Sequence, residues 1–444
     1  MSKQTFSPHT RRLLLSGVVL TLVALLIWQA RRDEPPPDTS DFDVDYLAIP
    51  ADDNAYTYWR DLDSQIRVPD VDRFLDWVRG SNWNAVAVTE LLADNAPVFT
   101  SIARGLECTA YQAPRITNPA TLTVKWSAYR KAARLMKLKA RLHLTTGEYR
   151  ETADSAAAFV HFGDMISRRP ESLIQFLVGS AISRMGYATC RHLAWEDGID
   201  ASLCLEAADH LDARMLDNEP LIRAFKREYA FFEFYVDGCA SGQYSLGQMI
   251  AFSFAGLSQS PAVLNRVPAT VALQANRTKR IGRDLFRNLI QELENTPPDL
   301  TTAVPDTSTR EMTAFRNLPA PLQLGHPNFT GMWLLEVMQP ISGTSMVYRR
   351  QEDSARRATS LILRLNAYRT DHGAYPKMLS DLVPKYLSEV PLDPMDGKPF
   401  RYDRARRIIY SVGRNIRDDG GQGGDNYSDP DWVFSIDGES APTL

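Results

Sequence analysis

Apolar and polar positions fall into three regimes along the chain, and each predicts a different kind of element. Residues 13–28, from Leu13 to Trp28, are apolar almost without interruption. At about 1.5 Å of helical rise per residue they reach about 24 Å, enough to cross a hydrocarbon core of about 30 Å with Trp28 and the flanking arginines at the interfaces. From Asp52 to about Glu294 apolar residues return every three or four positions. That period predicts helices over 69–79, 83–106, 121–146, 149–168, 171–195, 199–215 and 217–238, with Asp52, Asp53 and Asn54 offering a cap for a further helix at Ala55.

The third regime, 354–436, changes period partway. Ala358, Leu361, Leu365 and Tyr368 make one apolar stripe with Arg357, Arg364 and Arg369 between them, an amphipathic helix that Gly373 closes and Pro376 cannot continue. A helix into this region is expected to start near Thr344, after Pro340 and Gly343 break an earlier one at 332–338. A short helix over 379–386 follows, then an extended path forced by Pro391, Pro394 and Pro399. Strands are predicted at 400–402, 408–412 and 432–436, the first two joined by a charged turn at 403–407.

The expected fold is therefore a mainly α ectodomain, a helical bundle or irregular solenoid, followed by a small α+β C-terminal domain and preceded by a single N-terminal transmembrane helix. The boundaries are 1–12 cytoplasmic tail, 13–29 transmembrane signal anchor, 30–50 linker, 51–295 helical domain, 296–343 Pro-rich linker with a short helix, 344–438 C-terminal domain and 439–444 tail. No small-x-small cleavage site follows the apolar stretch, which favours an uncleaved anchor. Lys3, Arg11 and Arg12 against Arg31 and Arg32 tilt the orientation toward N-inside. Pro35, Pro36 and Pro37 predict a stiff spacer lifting the ectodomain off the inner (cytoplasmic) membrane. The segments flanking Gly147 resemble one tetratricopeptide hairpin, with no second copy at that period.

Composition narrows the chemistry. A formal net charge of −4 argues against nucleic acid as a partner. Cys108, Cys190, Cys204 and Cys239 include no C-x-x-C pair; Cys190 and Cys204 lie on adjacent predicted helices, where a disulfide and two buried thiols are both open. His161, His192 and His210 show no metal spacing, and no P-loop, G-x-S-x-G or G-x-G-x-x-G occurs in a fitting context. The loop 413–431 gathers Asp418, Asp419, Asp425, Asp429 and Asp431 with Gly420, Gly421, Gly423 and Gly424. Such a loop suits a hard cation such as calcium, which takes six to eight oxygens, and equally suits a solvated turn.

The order of signals from the 354–373 helix onward resembles the C-terminal domain of the major pseudopilin, protein G, of bacterial type II secretion systems. The matching signals are Tyr375-Pro376, Asp393-Pro394, Gly397-Lys398-Pro399, Tyr402, the Ser411 to Gly413 step, Asp419-Gly420-Gly421 and Asp429-Pro430-Asp431. The resemblance implies a calcium-stabilised module, with Asp419, Asp425, Asp429 and Asp431 as metal ligands and carbonyls near 411–415 as further donors. It covers about a fifth of the chain, and roughly 300 residues separate the module from the anchor, where the family has a direct connection. The expected function is that of a noncatalytic, membrane-anchored bacterial envelope protein whose module makes protein–protein contacts with other envelope proteins. One alternative is an envelope hydrolase, which a deep pocket with converging polar groups in 45–295 would favour. The other is a genuine component of a type II secretion or pilus-like assembly.

Overall fold

The computed structural model describes residues 32–117, 124–214, 217–245, 270, 272–295, 308–424, 426 and 428–438. Fourteen α-helices and one three-stranded sheet occur among them, so the chain is mainly helical with a small β element. The expected transmembrane segment 13–29 lies outside the described residues, as do the tails 1–12 and 439–444. No helix among the described residues is long and apolar enough to cross a membrane.

The helices are α1 Ala55–Trp59, α2 Leu62–Gln65, α3 Val71–Arg79, α4 Ala85–Asp94, α5 Ala96–Leu106, α6 Trp126–Thr145, α7 Tyr149–Arg168, α8 Leu173–Trp195, α9 Ala201–Asp212, α10 Glu219–Ala240, α11 Ala275–Asn295, α12 Arg310–Arg316, α13 Ala320–Leu324 and α14 Phe329–His372. Several begin at side chains that accept from the helix's first N–H groups, as Asn54, Asp70, Asn84, Ser172 and Asp200 do. The single helix expected over 83–106 is two. Buried Asn95 turns its side chain to Arg67 N, Arg67 O and Leu91 O, and Pro97 opens the next helix.

The described residues form two compact units, one drawn from 1–43, 229–288 and 307–341, the other from 44–228, 289–306 and 342–444. In the first, the stretch expected to stand off as a spacer lies along α11 instead. Asp33 accepts from Asn276 N at 2.7 Å and Arg277 N at 3.0 Å, capping that helix. Glu34 pairs with Arg280 at 2.6 Å and Asp41 with Arg287 at 2.7 Å. The prolines cannot donate, but the acidic residues around them find the helix's N-terminus and its arginines.

In the second unit α7 and α8 pack most closely. A Cβ on Gly163 would stand 2.5 Å from Ser183 N, and one on Gly179 would stand 2.6 Å from Gly163 O, so only hydrogen fits at this crossing. Trp59, Tyr111, Tyr129 and Phe162 fill one core beside it. A second core joins Val160, Tyr187, Cys190 and Leu193 to Ala358, Leu361 and Leu365 of α14 and to Ile409, Trp432 and Phe434 of the sheet. The C-terminal module thus has no separate interior.

Two expectations for α14 fail. It runs unbroken through Pro340 and Gly343, and within 344–372 its arginines are not on an outer face. Arg364, 5% exposed, bonds Asp209, Asp212 and the Tyr386 carbonyl. Asp353 holds Arg356 and Arg357, and Glu352 accepts from Ser180 Oγ at 2.6 Å. From 344 onward the helix is packed on both sides, and the buried charges Arg364, Asp353 and Glu352 each have a partner.

The sheet is antiparallel, with β1 Arg401–Asp403, β2 Ile408–Val412 and β3 Asp431–Ser435 in that order. Ile409 pairs with Tyr402 on one side and Phe434 on the other. All three strands fall within one residue of the expected bounds. The short helix expected over 379–386 is a 3-10 turn, Leu379–Leu382.

Candidate functional site

The acidic loop places three of its four expected metal ligands; Asp425 lies outside the described residues. Asp431, fully buried, receives N–H groups rather than facing open space: Oδ2 accepts from Gly421 at 2.7 Å, Asp419 at 3.1 Å and Gln422 at 3.3 Å. Gly421 holds φ 71°, a left-handed conformation that turns its amide inward. Asp429 Oδ2 accepts from Gly424 N and Asn426 N, both at 2.9 Å. Asp419 Oδ2 accepts from Asn415 Nδ2 at 2.7 Å.

A carboxylate ringed by peptide N–H groups already has its charge compensated. As placed, Asp431 turns its carboxylate to peptide N–H groups, and the fourth expected ligand, Asp425, lies outside the described residues. Among the described residues no group of three or more His, Cys, Asp or Glu side chains is disposed to hold a metal.

Asp393, which the sequence marked only through its Asp-Pro step, is the module's buried anchor. It accepts from Ser411 Oγ at 2.7 Å and from Met395 N and Val412 N at 2.9 Å, and pairs with Arg401 at 2.9 Å. Burial pushes its pKa up to about 6 against those hydrogen bonds. An aspartate between prolines and ahead of an arginine was the available signal; that both face inward was not.

The four cysteines are separate buried thiols, and burial raises those of Cys190 and Cys204 to about 12. His161 meets Arg214 at 2.9 Å, and His372 stacks on Tyr368 with ring centres 4.0 Å apart. Burial lowers the pKa of His161 and His210.

His192 stands in a cleft of about 480 Å³ that the sequence did not reveal. It is framed by α3, α6, α8 and β3, and is lined among others by Arg79, Lys137, Arg141, Arg191, Trp195 and Phe434. Lys137 and Arg141 are one turn apart on α6, and the Arg191 guanidinium lies 5.3 Å from the Phe434 ring centre. Burial first, then the charges of Arg191, Lys137 and Arg141, push His192 down to about 3. The lining hydroxyls of Thr145 and Thr189 donate to the carbonyls of their own helices. The cleft therefore collects cations rather than a nucleophile beside a base.

Comparison of the chain with protein-family models, curated proteins and solved structures finds no match.

Proposed function

We propose that the protein is a noncatalytic bacterial envelope protein, held in the inner membrane by residues 13–29, whose protein G-like module is an interaction surface for an envelope assembly. The observation that carries this reading is the shared core: α14 from 344 onward belongs at once to the helical body and to the module. A module mounted in this way presents its outer face in a fixed geometry, which suits contact with a partner. The module exposes Met378, Val383 and Leu392, apolar side chains within residues 378–392. Calcium is no part of this reading, because the Asp431 carboxylate is taken up by peptide groups.

The test is site-specific photocrosslinking of the full chain in a Gram-negative host, with the probe at Met378, Val383 or Leu392 and at Val86 as an exposed control on α4. The expected result is a membrane-fraction protein with a discrete adduct from the module positions alone. A protein recovered in the soluble cytoplasmic fraction, or equal adducts from Val86, would overturn it.

A further inference from the structure

Five aspartates in the chain are followed directly by glycine: Asp197, Asp237, Asp396, Asp419 and Asp437. Such a step carries a latent reaction, because glycine has no side chain to shield its amide nitrogen from the carboxyl carbon of the residue before it. The reaction needs that carboxyl accessible and that nitrogen free to turn toward it. At four of the steps the fold ties up the nitrogen, and at one it does not.

Gly238 lies inside α10, where its amide belongs to the helix, and Asp237 is paired with Lys279 at 2.7 Å. Gly397 N donates to the Asp393 carbonyl at 2.9 Å, while Asp396 is paired with Arg401. Gly420 N donates to Asp418 Oδ1 at 3.0 Å, and Asp419 accepts from Asn415 Nδ2 at 2.7 Å. Gly438 N donates to Ser435 Oγ at 3.2 Å, and Asp437 is paired with Arg407. Each of these bonds must break before the nitrogen can reach the carboxyl carbon.

Asp197 and Gly198 stand between α8 and α9. The Asp197 side chain is 98% exposed, and its contact with Arg369 is a loose 3.6 Å. Among the described residues no acceptor meets the Gly198 N–H. A Cβ on Gly198 would find nothing within 4 Å, so the peptide unit has room to turn.

We propose that Asp197-Gly198 is a site of spontaneous covalent modification, isomerising to isoaspartate in the folded protein while the other four Asp-Gly steps are protected. The Gly198 nitrogen attacks Asp197 Cγ and gives up its proton; a C–N bond forms, and the carboxyl oxygen leaves as water, closing a five-membered succinimide. Water then adds to either ring carbonyl. Opening at Cγ restores aspartate, and opening at the main-chain carbonyl routes the chain through Cβ. One water leaves and one enters, so the step needs no oxidant, reductant or enzyme. The product has one extra atom in the main chain. That length is added just before Ile199, buried in the second unit's core, and Asp200, whose side chain caps α9 at Ser202 N, 2.8 Å away. The inference goes beyond the envelope reading and stands whether or not that reading holds.

The experiment ages the full chain in nonionic detergent at physiological temperature and mildly acid pH, with and without urea. Isoaspartate is then located by peptide mass spectrometry and by labelling with an isoaspartyl methyltransferase. In urea all five Asp-Gly steps are expected to isomerise. In the folded protein isoaspartate at 197 is expected to exceed the sum at the other four. Asp197→Glu, which would have to close a six-membered ring, is expected to abolish the folded-state signal at 197 and, being a change at an exposed side chain, to leave the melting temperature of the parent. Absence of isoaspartate at 197 in the folded protein would overturn the site, as would an unchanged signal in Asp197→Glu. Equal isoaspartate at all five steps of the folded protein would overturn the protection assigned to the other four.

Discussion

Gly421 N–H donates to Asp431 Oδ2 at 2.7 Å, and two further peptide groups, those of Asp419 and Gln422, point at the same oxygen. The carboxylate thereby closes the loop from inside, in the place a cation was expected to fill. Asp431→Ala is expected to destabilise the protein by about 3 kcal/mol, since it orphans buried amides that had a charged acceptor. The loss is expected to be the same in chelator as in millimolar calcium, as read by urea denaturation in both. A loss seen only with calcium present would return Asp431 to the role of metal ligand.

The Asp393–Arg401 pair supports the strand ends in the same way. Removing the carboxylate leaves Arg401 with Asp396 and Asp418, and Ser411 Oγ with the Val412 carbonyl, but strips two peptide groups of their acceptor. Asp393→Ala is expected to cost about 3 to 5 kcal/mol, the usual penalty for breaking a buried pair from one side. A double-mutant cycle with Arg401→Met measures the coupling, and a coupling near zero would show that the backbone donors alone matter.

Much of the fold was legible from spacing. The helix at 149–168 falls where the apolar period places it, and the strand at 408–412 where its β-branched and aromatic run places it, four of its five residues being buried. What spacing could not show was which polar residues turn inward. Arg364 reads as an outer-face residue in a three-and-four pattern, yet α9 and the Tyr386 carbonyl cover it. The acidic loop was visible as composition, but whether Asp431 meets a cation or a ring of amides depends on the signs of φ at the glycines. The cleft was invisible because its cations come from segments far apart in sequence, none of which forms a motif alone.

The α7–α8 crossing gives a prediction about volume. Gly163→Ala and Gly179→Ala each place a methyl group within 2.7 Å of backbone or side-chain atoms. Each is expected to cost about 2 kcal/mol or more through forced separation of the helices. Gly147→Ala, where nothing lies within 4 Å but φ is 76°, is the control. It is expected to cost about 1 kcal/mol, from backbone strain alone. Chemical denaturation of the three variants checks the order, and equal losses would mean that the close approach is not tight in solution.

His192 gives the pH dependence. Its ordinary value is 6.5 and in the folded protein it falls to about 3, so between those values the unfolded chain binds a proton that the native protein does not. Unfolding therefore takes up protons, and stability is present above pH 6.5 and lost as pH falls through that window, with a slope of at most about 1.4 kcal/mol per pH unit from this one group. Asp393, raised to about 6, acts with the opposite sign between its ordinary value and that point, because the native protein holds its proton longer. The contribution of His192 is therefore read as a difference. His192→Gln is expected to flatten the fall in stability between pH 6.5 and pH 4.5 relative to the parent, leaving stability at pH 8 little changed. Parallel stability curves for the two proteins would show that the imidazole takes up its proton in the folded cleft, beside Lys137, Arg141 and Arg191, at a normal pH.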